Sequence, residues 1–244
     1  MPTRSPVFPS SVVAATIAAL LVALAGCAGF TSEGSGPAAD APVYRVGDRW
    51  VYRAQDGFRA PVVWDETREV IAAGAAGATV RIVQKGRYVD SVRTEQWSPA
   101  GQVLVGAIYD DETRRFKEAL QRYRFPLKSG QSWNQWVDNY NETAQKDGSI
   151  NQYVRVRGWE KVETPAGTFD AIALRVNARL DDEEFWREAT TCNYLIWYAP
   201  AVHGIVREEK EAEYREKGGA LDGLASIRSQ HALVELVAFT PGKT

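Results

Sequence analysis

This chain has few residues of the kinds that build metal and redox sites. Two cysteines and two histidines among 244 residues cannot supply the three or four converging ligands of a zinc centre easily. If the stretches 204–214 and 226–239 pair as a hairpin turning near Gly218-Gly219, His231 lies opposite about residue 206. That odd offset of three from His203 puts the two imidazoles on opposite faces, and a turn nearer Asp222-Gly223 separates them further. No metal and no cofactor are therefore expected. The acidic runs Asp181-Asp182-Glu183-Glu184 and Asp110-Asp111-Glu112 lack the alternating oxygens and glycine of a calcium loop, and read as solvated loops or strand ends. The sequence also lacks a Gly-x-Ser-x-Gly elbow, a Ser-x-x-Lys set, a phosphate-cradling loop and a dinucleotide fingerprint. Nothing singles out a carboxylate pair for glycoside hydrolysis, so no catalysis is expected. A net charge of −2 without a basic block argues against nucleic acid and against electrostatic docking on anionic lipid.

One long apolar run is present, and it ends on a cysteine. Arg4 precedes the stretch Val12 to Leu24, which leads into Leu24-Ala25-Gly26-Cys27. Thirteen residues suit the core of a signal peptide and are too few to span a bilayer as a helix. The small residues before Cys27 resemble the lipobox of bacterial lipoproteins. That resemblance implies a signal peptide over 1–26, diacylglycerol on the Cys27 sulfur, and an acylated amine after cleavage. Two or three acyl chains hold a protein on its membrane stably. Ala28 rather than Asp after the cysteine implies, by the sorting rule of Gram-negative lipoproteins, the inner leaflet of the outer membrane, facing the periplasm. Cleavage before Cys27 leaves 218 residues and removes Arg4, the only charge in 1–26, taking the net charge to −3. Lipidation of Cys27 leaves Cys192 without an intrachain partner, a buried small apolar residue rather than a nucleophile. Residues 27–42 are then the lipidated cysteine and a small, polar, aperiodic tether with an r.m.s. span of roughly 20 Å.

From residue 43 to 244 the pattern is that of one mainly β domain. Val80 and Ile82 alternate with Thr79 and Arg81, Tyr153 to Arg157 alternate cleanly, Ile172, Leu174 and Val176 interleave with Ala173 and Arg175, and Leu233 to Phe239 form a β-rich run. Turn signals fall at Gly74 to Gly77, Lys85-Gly86, Pro99-Ala100-Gly101, Asp147-Gly148, Pro165-Ala166-Gly167, Pro200 and Gly218-Gly219. The best helical candidate is Asp110 to Arg124, with Phe116, Leu120 and Tyr123 at helical spacing; its charges equally suit an exposed strand. Gly47-Asp48-Arg49-Trp50 is echoed by Gly130-Gln131-Ser132-Trp133, and Trp97-Ser98-Pro99-Ala100-Gly101 by Trp197-Tyr198-Ala199-Pro200-Ala201, in the same order. The expectation is an antiparallel curved sheet or half-barrel of two related β-meander halves, with at most one or two short helices.

Phe125-Pro126-Leu127 with Gly130 and Trp133, then Val162 with Pro165-Ala166-Gly167-Thr168-Phe169-Asp170-Ala171, then Trp197-Tyr198-Ala199-Pro200 with Gly204-Ile205-Val206, resemble the TapB-like group of bacterial envelope proteins. The resemblance spans about Val43 to Pro241, and the chain departs from it by inserting Ala201-Val202-His203. It implies a half-barrel comparable to Lol-type lipoprotein carriers, and implies no catalytic residues.

Aromatics are the remaining signal: eight tryptophans and ten tyrosines, the tryptophans all in or beside expected strands. Rings of this kind pack across pleated sheets, or line a concave face that binds one ligand. On strand position, Trp64, Trp97, Trp159 and Trp197 are the expected lining. The expected role is a non-catalytic, lipid-anchored periplasmic lipoprotein that binds an apolar ligand or a segment of a partner protein. The alternatives are an assembly accessory of an envelope complex, or a glycan-binding module.

Overall fold

In the computed structural model, residues 36–182, 184–217 and 226–243 are described. Cys27, the signal segment and most of the expected tether lie outside them, as does the Gly218-Gly219 turn. Twelve strands follow one another: β1 (Arg49–Asp56), β2 (Val62–Gly74), β3 (Gly77–Gly86), β4 (Asp90–Trp97), β5 (Val103–Ala107), β6 (Thr113–Leu120), β7 (Ser132–Asn141), β8 (Lys146–Thr164), β9 (Gly167–Asp181), β10 (Thr190–Ala199), β11 (Gly204–Tyr214) and β12 (Ile227–Thr240). Each pairs antiparallel with its neighbour in sequence, and β12 returns to pair with β1 from Arg49↔Thr240 to Asp56↔Ala232. The curved antiparallel sheet therefore goes beyond a half-barrel and closes on itself, which removes both sheet edges. A single 3-10 turn, Pro200–Val202, is the only helical piece among the described residues.

Strand alternation sets the interior. Trp50, Tyr52 and Ala54 of β1, Val80 and Ile82 of β3, Ile172 to Leu180 at every second position of β9, and Val234 and Leu236 of β12 are buried. Residues between them carry charge pairs at the surface, such as Arg81–Glu69 across β3 and β2 and Lys161–Asp170 across β8 and β9. A barrel whose outward positions hold such pairs meets water along its outer wall; a lipid-facing barrel carries an apolar band there.

The two halves, β1–β6 and β7–β12, repeat in backbone detail. Gly47 and Gly130 both take positive φ, 90° and 80°. In each the following side chain caps the turn: Asp48 Oδ2 accepts from Arg45 N at 2.7 Å, and Gln131 Oε1 from Lys128 N at 3.0 Å. Gly47 N donates to Val70 O and Gly130 N to Val156 O, and a bulge follows each acceptor. The second hairpin of each half turns on Gly77 or Gly167, with φ of 120° and 124°. At Gly77 a side chain has no room, because a Cβ would lie 1.9 Å from Trp97 O.

Two expectations change. Asp110 to Arg124 contains strand β6, not a helix: Arg114, Phe116 and Leu120 are buried while Arg115 and Lys117 are exposed. A separation of four, as between Phe116 and Leu120, satisfies both the helical and the strand period, and pairing with β5 and β7 decides the matter. The turn expected at Asp147-Gly148 falls earlier, at residues 142–145, and both residues lie inside β8.

Candidate functional site

Because neighbouring strands alternate in direction, the connections sort into two ends. At one end Tyr44, Trp50, Trp97, Tyr123, Phe125 and Tyr198 meet edge to face or tilted, with ring centroids 5.2–6.4 Å apart. Trp50 Nε1 donates to Val202 O at 2.8 Å and Tyr52 Oη to Ile205 O at 3.0 Å, so the rings are anchored as well as packed. Only about 20 Å³ of space remains between them. This aromatic floor shuts that end. Burial makes its phenols hard to ionise: it pushes Tyr52 up against the lowering effect of the neighbouring Arg68, and pushes Tyr123 up to about 12.

Above the floor lies a cavity of about 430 Å³, within the range of small-molecule sites. Twelve strands enclose more than the eight that side chains alone fill. The mouth is framed by the β1–β2 connection at Gly57 and Phe58, the β3–β4 connection at Val89, Asp110 and Asp111 before β6, and Arg228 at the start of β12. Its walls differ. Val176, Ala178 and Ile196 of β9 and β10 form an apolar patch across the barrel from the charged residues of β2, β3 and β4, and β11 sets Glu208 and Lys210 between Ile196 of β10 and Ala232 and Val234 of β12.

The charged side is a preformed network. Arg68 Nε donates to Glu66 Oε1 at 2.6 Å, Gln84 Nε2 to Glu66 Oε2 at 2.7 Å, and Ser91 Oγ to Gln84 Oε1 at 2.9 Å. Arg68 also faces Glu208 at 3.9 Å and lies over the Tyr52 ring. Burial alone would raise the Glu66 carboxyl; Arg68, Arg93 and the Gln84 hydrogen bond outweigh it and bring the pKa to about 2. Next to it Glu95 accepts from Trp97 Nε1 at 2.8 Å, Ala107 N at 3.2 Å and Arg93 Nε at 3.2 Å, and its pKa too is lowered by Arg93 and Arg122 against the cost of burial. Arg93 reaches on to Asp111 at the mouth at 2.9 Å. Lys210 stands over the Tyr194 ring. The arrangement presents the donors and acceptors of β2–β4 across from a hydrocarbon patch on β9 and β10. That suits holding a molecule with a polar and an apolar part.

No family model matches this chain, and no curated relative matches it. Two solved structures resemble it in shape: a protein described as exported, with a YmcC-like fold, from Bacteroides fragilis, and a protein described as a lipoprotein from Parabacteroides distasonis. Each is 14% identical, covers 84% of this chain and 100% of its own, and superposes with a TM-score of 0.49. A likeness of that degree carries nothing about ligand or activity.

The four expected tryptophans separate. Trp64 lines the cavity. Trp97 belongs to the floor. Trp159 is occupied by the chain's own N-terminal segment: its Nε1 donates to Pro37 O at 2.9 Å, and Gly36 sits so close that a Cβ there would lie 2.2 Å from the indole. Trp197 points away from the interior, its Nε1 donating to Glu160 at 3.1 Å beneath Arg207; one residue on, Tyr198 takes the inward place equivalent to Trp97. A shift of one residue along a strand reverses the face. The end of the expected tether is also docked, since Ala39 exchanges two backbone hydrogen bonds with Leu127, at 2.9 and 2.8 Å.

The acidic runs are not simply solvated. Asp182 is buried and holds the fully buried Arg114 together with Arg187, and Glu112 joins the same cluster. His231 pairs with Glu211, eight positions beyond His203 in register, and stacks on Phe58. Among the described residues no group of three or more His, Cys, Asp or Glu side chains is placed to hold a metal. Sequence reasoning passed over Glu66, Arg68, Arg93, Glu95 and Glu208. In a run such as Asp65-Glu66-Thr67-Arg68-Glu69 both strand faces carry charge, so alternation gives no sign of which face is inside.

Proposed function

We propose that this protein is an outer-membrane lipoprotein, anchored through acylated Cys27 and facing the periplasm, whose closed barrel holds one small amphiphile without transforming it. The observation that carries the reading is the one-ended cavity with a charged wall opposite an apolar one. The polar group of the ligand lies against the Glu66, Arg68 and Glu95 side, and its chain against Val176, Ala178 and Ile196. About eight buried methylenes at ~0.8 kcal/mol each would supply roughly 6 kcal/mol, a dissociation constant of order 10 µM. Only eight residues lie between Cys27 and Gly36, a reach of at most about 30 Å, and Gly36 is held at Trp159. The anchor therefore keeps the barrel close to its bilayer.

Native mass spectrometry of protein extracted from membranes in mild detergent is the direct test. The reading expects a bound amphiphile, and saturable binding of a fluorescent fatty acid that is lost in Ala178→Trp and Ile196→Trp. An empty barrel that binds no such probe would overturn it. Crosslinking in intact cells separates a lipid adduct from the adduct of a partner protein's segment. Cys27→Ser should leave the barrel folded and release the protein from the membrane; unchanged membrane retention in high salt would refute the anchor.

A further inference from the structure

The outward face of β6–β9 differs from the rest of the outer wall. Trp136 is 66% exposed, and Tyr140 and Tyr153 are each 42% exposed. Strand register places them together. Trp136 pairs with Asn151, and that row continues to Arg179. Asn134 pairs with Tyr153, and that row continues to Asn177. Tyr140 pairs with Asp147 and with Arg115. Paired positions share a face and neighbouring rows are within reach of each other's long side chains, so the rings stand on one surface separated by amides and by charged groups of both signs. Asn134 Nδ2 donates to Asn151 Oδ1 at 3.2 Å, and Lys117 pairs with Asp138 at 3.3 Å. Beside Trp136 runs a groove of about 420 Å³, bordered by Lys117, Asp138, Asn139, Asp147, Ser149 and Asp181.

We propose that this face is a binding platform for a neutral polysaccharide chain, with pyranose rings stacked on Trp136 and Tyr153 and their hydroxyls bonded to the flanking Asn and Asp side chains. The chemistry of the face selects that occupant. Flat indole and phenol rings complement the apolar faces of sugar rings, and amides and carboxylates both serve hydroxyls, which donate and accept. Around the rings Asp138, Asp147 and Asp181 stand against Lys117, Arg115 and Arg179, so the face has no excess of one sign to draw a polyanionic chain. A protein partner would call for a contiguous apolar centre inside a polar rim; here each ring is fenced singly by polar groups. The platform is on the outside of the barrel and shares no residue with the cavity, so it stands or falls separately from the amphiphile reading.

The test is a titration of the purified full-length protein with chitohexaose and cellohexaose, followed by the indole N–H resonances in ¹⁵N–¹H spectra. The Trp136 resonance should shift saturably. Trp136→Ala and Tyr153→Ala should each weaken binding, measured calorimetrically, by roughly tenfold, with fatty-acid binding unchanged. Trp186→Ala, which removes a partly exposed ring elsewhere, should leave sugar binding as it was. Absence of a Trp136 shift up to the solubility limit of both sugars would overturn the proposal. So would a photo-crosslinker at position 136 that captures a discrete protein in intact cells.

Discussion

Glu66 offers the sharpest test of the interior network, because its ionisation is tied to folding. In the folded barrel its pKa falls from 4.5 to about 2, against burial and owing chiefly to Arg68. A group whose folded pKa is depressed stabilises the fold above its unfolded pKa, and that stability is lost as pH falls through the folded value. At about 1.4 kcal/mol per pH unit, ionised Glu66 contributes roughly 3 kcal/mol at neutral pH. About 2 kcal/mol of that is gone by pH 3. Asp111 works in the opposite sense, since burial raises its pKa despite Arg93, and Glu95 works in the same sense as Glu66. The wild-type titration alone is therefore a composite. The difference between wild type and Glu66→Gln removes the contributions the two proteins share. Urea unfolding followed by tryptophan fluorescence should show the variant about 3 kcal/mol less stable at pH 7, with the gap narrowing to about 1 kcal/mol near pH 2.5. A gap independent of pH would refute the assignment of Glu66 as an anion held by Arg68 and Gln84.

Three further outcomes follow from other parts of the barrel. Cys192 is fully buried and burial pushes its thiol up to about 11, so iodoacetamide at pH 8 should label it only in denaturant; labelling of the native protein at the unfolded rate would contradict its position. Asp182→Ala strips the fully buried Arg114 of its main carboxylate and leaves Glu112, a loss of about 3 kcal/mol in urea unfolding; a change below ~1 kcal/mol would mean that water reaches the cluster. Trp159→Ala removes the clamp on Pro37, and hydrogen exchange at the Ala39 and Leu127 amides should rise while the amides of β9 keep their protection; unaltered protection at Ala39 would show that the segment docks without the indole.

Fold class was readable because strand alternation is a local property: Val80 and Ile82, and Ile172, Leu174 and Val176, lie in strands with the expected face inward, and Leu233 to Phe239 lie in a strand. The duplication was readable for the same reason, since Gly47 and Gly130 occupy turns whose positive φ suits glycine. The expectation that Cys192 is a buried small residue also matches its place among the inward positions of β10. Asp110 to Arg124 stayed open between helix and strand because the spacing of four from Phe116 to Leu120 fits both periods, and the structure takes the strand.

The amino-acid order by itself therefore determined a duplicated, mainly β body, since the backbone preferences and alternation that specify it act between near neighbours. Only the tertiary structure decided that β12 returns to β1, that one end is shut by rings and the other open, and that Glu66, Arg68, Glu95 and Glu208 look inward. It also parted the four expected tryptophans into a cavity wall, a floor, a clamp for the chain's own N-terminal segment and an outward contact. Each of these depends on which strand lies opposite which, and pairings between residues as distant as Arg49 and Thr240 are set by closure of the whole sheet rather than by any segment of it.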